Sequence, residues 1–205
     1  GAGSGKTRVL TTRMAWLMQQ GISPYAFMAV TFTNKAAKEM LTRVQSLLPI
    51  DTRGIWIGTF HGLCNRLLRL HYQDAGLVQS FQILDSADQL AAIRRLIKAN
   101  QIDDDKFPPR DVQRFINSQK EQGLRPQYVE PYDPYTRYLV SIYELYQAQC
   151  EREGVVDFAE LLLRAYELLQ NNEPLRQHYQ QRFSHILIDE FQDTSAMQWN
   201  NFRPL

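Results

Sequence analysis

The 205-residue sequence predicts an α/β fold, a parallel, doubly wound sheet interrupted by a block of helices. Three observations carry this expectation. A glycine-rich stretch, Gly1-Ala2-Gly3-Ser4-Gly5-Lys6-Thr7, stands directly ahead of a helical pattern. Apolar runs at 27–32 and 55–59 each lead into another helical pattern. A further run, Ile186-Leu187-Ile188, ends in two adjacent carboxylates, Asp189 and Glu190.

Taken in order, Val9, Leu10, Met14 and Leu17 fall near helical spacing, and Gly21 suits the end of that helix. Gly21-Ile22-Ser23-Pro24 reads as a turn into a buried strand over 27–32. Asn34 is then expected to cap a helix carrying Ala37, Met40, Val44 and Leu47, stopped by Pro49. A second strand over 55–59 leads into a helix through Leu63, Leu67 and Leu70. From about Asp85 to Phe183 the pattern is mostly helical. Ser86 with Gln89 reads as a capping box, Val112, Phe115 and Ile116 share a helix, and Gly154 suits the end of the helix through Tyr138, Leu139, Ile142 and Leu145. Asp157 with Glu160 opens another helix, and Pro174 suits the first turn of the last one. The short strand at 185–188 then returns to the sheet. The organisation expected is residues 1–70 and 180–205 as one discontinuous lobe, its first strand missing, with an all-helical subdomain inserted at 71–179.

A hydrophobic fraction of 44% supports real cores, and 23 basic against 22 acidic residues leave a net charge of +1, so bulk charge gives no argument for nucleic acid. Cys64 and Cys150 match no metal spacing; they fit reduced thiols or core packing. No apolar run reaches membrane-spanning length. Without an initiator Met, the sequence reads as a piece of a longer protein.

The two end motifs carry the chemistry. In the first, glycines let the backbone approach phosphates, amides point inward, and the following helix adds its positive end. Lys6 would reach the outer phosphates, and Thr7 would offer its hydroxyl to magnesium. Seven of the motif's eight positions are visible. In the second, Asp189 sits at the carboxyl end of a strand, where it would hold Mg²⁺ through water, and Glu190 would orient and deprotonate the attacking water. Together they point to hydrolysis of a nucleoside triphosphate. The segment Thr31-Phe32-Thr33-Asn34-Lys35 offers an aromatic face, hydroxyls and a cation at a strand end, as single-strand binding requires. Packing of Phe32, capping by Thr33 and a solvated Lys35 remain the alternative readings of those residues.

On GAGSGKT at 1–7, AVTFTNKAAKEM at 29–40, GTFHGLCNRLLR at 58–69, FQILDSADQL at 81–90, VDFAELLLRA at 156–165 and ILIDEFQDT at 186–194, the chain resembles the UvrD/Rep/PcrA group of superfamily 1 DNA helicases. The resemblance runs along nearly the whole sequence. It implies a P-loop NTPase lobe of RecA-like fold with an inserted helical subdomain. It also implies ATP and Mg²⁺ as cofactors and 3′-to-5′ movement on single-stranded DNA with unwinding at single-strand/duplex junctions. A DNA-repair setting, repair-protein partners and a bacterial cytoplasmic, nucleoid-associated location follow from it as well.

By the same resemblance, Gly1, Ala2, Gly3, Ser4, Gly5, Lys6, Thr7 and Arg8 contact ATP, with Arg8 near the adenine. Gln192 senses the γ-phosphate beside the catalytic Lys6 and Glu190, and Thr31, Phe32, Thr33, Asn34, Lys35, Thr59, Phe60 and His61 touch DNA. The adenine-reading motif and the second lobe's arginine fingers lie outside the sequence, so these residues alone are expected to be nearly inactive. A helicase–nuclease relative and a non-hydrolysing binding fragment are the alternatives. A GTPase would need a base reader that Asn34-Lys35-Ala36-Ala37 does not supply. The tyrosines between Tyr128 and Tyr146 are expected to be core, and Arg94, Arg95 and Lys98 to be the wet face of their helix.

Overall fold

The computed structural model describes residues 2–47 and 51–188, with side chains from Arg8 onward. In chain order the elements are α1 (Ala2–Gln19), β1 (Phe27–Val30), α2 (Asn34–Leu47), β2 (Trp56–Gly58), α3 (Phe60–Leu70), β3 (Gln82–Leu84) and α4 (Ser86–Ala99). They continue with α5 (Pro109–Glu121), α6 (Pro134–Glu153), β4 (Val155–Asp157), α7 (Phe158–Asn171), α8 (Glu173–Arg182) and β5 (His185–Ile188). The described residues divide into two compact units. One takes those up to Leu67 and from Tyr166 on; the other is Leu68–Ala165. No described helix is long and apolar enough to cross a membrane.

The first unit is built on a parallel three-stranded sheet in the order β2-β1-β5. Met28 pairs with both Trp56 and Ile186, and Val30 with both Gly58 and Ile188. Period-two alternation sends Phe27 and Ala29 to one face. There they are fully buried against Met14 of α1, Met40 and Val44 of α2, Ile55 and Leu187. Each large side chain so buried contributes about 1.5–3 kcal/mol. Met28, Val30 and Ile186 point the other way, where Trp56, Leu63 and Cys64 help line a small apolar cavity of about 50 Å³. Two arginines fix the chain that enters β2. Arg66 donates to the carbonyls of Ile55 (2.8 Å) and Arg53 (2.9 Å), and Arg182 donates to that of Gly54 (2.7 Å).

The second unit is not all helical. β3 and β4 pair in parallel, Ile83 opposite Val156 and Leu84 opposite Asp157. Three-residue strands carrying Gln82 and Asp157 show too little apolar alternation to stand out from their helical neighbours. The core beside them gathers Ile93, Val112, Ile116, Ile142, Tyr143 and Tyr146. Gly154 ends α6 in the left-handed region (φ 66°, ψ 40°), its N–H donating back to the carbonyls of Cys150 and Glu151. Only two of the six tyrosines in the tyrosine-rich stretch are core. Tyr143 and Tyr146 are buried, while Tyr128, Tyr132, Tyr135 and Tyr138 are exposed, because the latter fall in the loop ahead of α6 or on its outer face.

Two further expectations shift by one residue. α4 is capped by Asp85, which accepts from the Asp88 N–H at 2.7 Å, so Ser86 is already inside the helix. α2 is capped by Thr33, whose Oγ1 accepts from the Ala36 N–H at 3.0 Å, so Asn34 is helical. In each pair two adjacent capping-type residues compete, and the one leaving extended backbone takes the N–H three residues on.

Candidate functional site at the carboxyl edge of the sheet

All strands of the first unit run the same way, so their carboxyl ends share one edge. Open α/β sheets bind ligands along that edge. Just beyond β1, the Thr31 N–H donates to the Gly58 carbonyl (2.9 Å), continuing the ladder by one residue. Thr31 is buried, and its hydroxyl donates to the Thr33 carbonyl (3.1 Å), tightening the turn that starts α2. Thr33 closes the helix end; Asn34 and Lys35 lie exposed in its first turn, and Phe32 is half-buried beside them.

β2 ends in the same way. Thr59 Oγ1 accepts from the Gly62 N–H at 3.0 Å and caps α3. Phe60 lines the apolar cavity and is half-buried, so it anchors the helix start rather than standing free. His61 is half-buried, and burial pushes its imidazole below the ordinary histidine range, which leaves it an uncharged hydrogen-bonding ring at neutral pH. Neither α2 nor α3 carries an acidic residue in its first turn. Both helix starts therefore keep their partial positive charge uncompensated by any nearby carboxylate of the same helix, which suits an anion.

The nucleotide motifs meet the structure differently. Residues 2–7 form the first turns of α1, not a loop, so the expected phosphate cradle is replaced by helical backbone. Glycine, alanine, serine, lysine and threonine can all take helical φ/ψ, and the first N–H groups of a helix have no partner within it. Arg8 is exposed on α1, its carbonyl accepting the Thr12 hydroxyl (2.9 Å). Gly1, the side chains of Ala2, Gly3, Ser4, Gly5, Lys6 and Thr7, and all of Asp189, Glu190 and Gln192 lie outside the described residues. The last described residue of β5, Ile188, pairs with Val30, and Asp189 follows it in the sequence.

Sequence reading named the polar residues of this edge, but not all of what fixes them. The Thr31–Gly58 hydrogen bond depends on strand register, which no local pattern encodes, whereas the Thr59–Gly62 bond is a local cap of the kind threonine ahead of a helix suggests.

The chain is 55% identical over 201 residues to DNA helicase II of Escherichia coli and 54% identical over 201 residues to DNA helicase II of Salmonella typhimurium, in each case covering 97% of this chain and 28% of the relative. It is 39% identical over 202 residues to the ATP-dependent DNA helicase PcrA of Bacillus subtilis, covering 97% of this chain and 27% of that protein. The chain thus spans a little over a quarter of the length of these relatives. The profile of the UvrD/REP helicase N-terminal domain matches residues 1–205, and the chain belongs to that family.

Proposed function

We propose that this chain is the ATP-binding part of the first motor lobe of a DNA helicase, with residues 71–179 as its inserted subdomain. The observation that carries the reading is the register of β1 with β5. Val30 opposite Ile188 puts the start of the Thr31–Lys35 segment and the strand that leads into Asp189 at one edge. A motor needs that proximity, because a change at the nucleotide must alter the grip on the strand.

Within this reading, Lys6 binds the outer phosphates of ATP and Thr7 and Asp189 supply the hard oxygen donors that Mg²⁺ takes. Bound there, the ion would neutralise phosphate charge during transfer. Glu190 orients and deprotonates the water, and Gln192 couples the γ-phosphate to neighbouring parts of the motor. Thr31, Phe32, Thr33, Asn34, Lys35, Thr59, Phe60 and His61 hold single-stranded DNA, the exposed Lys35 and Asn34 on phosphate and the half-buried rings on bases. Movement is 3′ to 5′ and opens single-strand/duplex junctions during DNA repair in the cytoplasm, as in the family resemblance.

In the full-length protein, ATP hydrolysis should rise many-fold on adding single-stranded DNA; equal rates with and without DNA overturn the motor reading. Glu190→Gln should keep ATP binding and abolish turnover. Loss of binding instead would assign Glu190 to holding the nucleotide.

A further inference from the structure

We propose that the exposed tyrosines at the start of α6, with the aspartates of the loop ahead of α5, form a docking surface for a lysine- or arginine-bearing segment of a partner protein. This surface lies wholly in the second unit and does not depend on the motor reading. Tyr132, Tyr135 and Tyr138 keep 87%, 40% and 44% of their surface in solvent. Such rings, apolar with a polar tip, are enriched in protein interfaces.

Tyr135 and Tyr138 are also held in place. Phe107, itself 3% exposed, stacks on Tyr135 (centroids 5.1 Å, planes 10° apart) and on Tyr138 (4.5 Å, 17°). The stack already draws one cation of this chain: Lys106 Nζ lies 5.8 Å from the Phe107 ring centre. Rings fixed in this way lose little rotamer freedom when a partner lands on them.

Charge decides which partner. The carboxylates of Asp103, Asp104 and Asp105 are exposed and lie within 4.8 Å of one another. The loop that carries them is tied to the stack, since the Phe107 N–H donates to the Asp103 carbonyl at 2.9 Å. Asp103 Oδ1 in turn accepts from the backbone of Asp105 (3.0 Å) and Lys106 (3.3 Å). Across 103–110 and 130–138, the acids Asp103, Asp104, Asp105, Glu130 and Asp133 outnumber the bases Lys106, Arg110 and Arg137. A nucleic-acid strand could use the rings for its bases, but its phosphates would meet that carboxylate group. A guanidinium or ammonium gains from both, lying over an aromatic face while paired with a carboxylate.

The test uses the full-length protein and a fluorescein-labelled Arg-Gly repeat peptide, read by anisotropy at low salt beside a labelled single-stranded oligonucleotide. Tyr135→Ala/Tyr138→Ala and Asp103→Asn/Asp104→Asn/Asp105→Asn should each weaken peptide binding by about fivefold or more, the sum of a few exposed cation–π and ionic contacts. Oligonucleotide affinity should stay unchanged. Tyr132→Ala, at a residue too exposed to support the fold, should weaken peptide binding by about twofold, and Tyr135→Phe/Tyr138→Phe should keep it. Peptide affinity unchanged in the tyrosine variants, with only the aspartate variant affected, means diffuse charge attraction and overturns the proposal. A tyrosine variant that loses oligonucleotide affinity while the aspartate variant gains it overturns it too, and gives the surface to nucleic acid.

Discussion

Among the described residues four strand-to-helix turns are capped by a short side-chain oxygen, and the two units use different oxygens. After β1 and β2 the caps are threonines, Thr33 and Thr59, followed by helix starts with no acid in the first turn. After β3 and β4 they are aspartates, Asp85 and Asp157, followed by Asp88 in α4 and Glu160 in α7. The hydrogen-bond pattern is the same, an oxygen accepting the N–H three residues on. The electrostatics are opposite. Neutral caps leave a helix start able to receive an outside anion, whereas acidic caps use up that capacity within the fold.

At Asp157 the second unit goes further and builds a buried ionic cluster. Asp157 Oδ2 accepts from Lys120 Nζ (2.8 Å), from the Tyr146 hydroxyl (2.6 Å) and, more weakly, from Gln89 (3.4 Å). Glu160 takes both guanidinium nitrogens of Arg125 (2.7 and 2.8 Å), Lys120 (2.9 Å) and Arg164 (2.8 Å). Lys120, Asp157 and Glu160 are essentially without solvent. The contrast teaches that the helix starts after the strands of the first unit are left open for an anion to arrive, and those after the strands of the second are already compensated within the fold.

The largest test breaks the cluster. Asp157→Thr keeps a capping oxygen but removes the carboxylate, which takes away one of the two carboxylate partners of Lys120 and the acceptor of the Tyr146 hydroxyl, and should cost about 3–5 kcal/mol, as for other buried pairs that lose one partner. The two free cysteines make the readout local. Cys64 is buried in the first unit and Cys150 in the second, with burial pushing their thiols up to about 12 and about 11. Alkylation therefore reports opening. In rising urea, Cys150 should become reactive much earlier in Asp157→Thr while Cys64 changes little. Equal shifts at both thiols would mean the cluster stabilises the whole chain and not its own unit.

The same cluster sets a pH window. Burial pushes Glu160 upward, but Lys120, Arg125 and Arg164 outweigh it and hold the carboxyl well below the ordinary range. Its contribution is therefore present above the ordinary glutamate value and lost only as pH falls through the depressed one. Burial pushes Lys120 downward, but Glu160 and Asp157 outweigh it and hold the ammonium above the ordinary range. Its contribution is present below the ordinary lysine value and lost as pH rises past the raised one. The difference in stability between wild type and Glu160→Gln should thus stay flat from about pH 5 to about pH 10. A drift of more than about 1 kcal/mol between pH 6 and 9 would show one of the two titrating inside that window.

A smaller effect, confined to the second unit, is expected at Gly154. Its φ of 66° and a would-be Cβ only 3.0 Å from Val78 Cγ2 predict a loss of about 1–2 kcal/mol for Gly154→Ala, again read at Cys150. A neutral result would mean that Val78, which is exposed, moves aside and that the turn itself is unstrained.

This contrast also marks what the sequence could reveal. β1, β2 and β5 were legible because continuous apolar runs bounded by turns are what buried parallel strands look like, and the Gly154 stop because glycine is favoured at left-handed φ. The cap oxygens were legible as a type but not always to the residue, as Thr33-Asn34 and Asp85-Ser86 show. The ionic cluster was not legible. Asp157 and Glu160 announce a helix start, yet nothing near them points to Lys120, thirty-seven positions upstream. The exposed part of the tyrosine stretch escaped because the i, i+3 spacing of Tyr135 and Tyr138 fits an outward face as well as an inward one.

The smallest effect on stability is also the sharpest test of the comparison: exchanging one unit's cap for the other's. Thr59→Asp keeps an oxygen acceptor three residues ahead of the Gly62 N–H, and aspartate caps helices at least as well as threonine, so the fold should change by less than about 0.5 kcal/mol. The new carboxylate, however, sits at the carboxyl edge of the sheet and cancels the positive end of α3. If neutral caps exist to leave that edge open to phosphate, the full-length protein should lose oligonucleotide affinity by about tenfold at low salt, and the loss should shrink as salt is raised. Thr59→Ser, with the same hydroxyl and no charge, should bind as wild type. Unchanged affinity in Thr59→Asp would mean the threonine caps serve helix geometry alone, and the electrostatic difference between the two units carries no function.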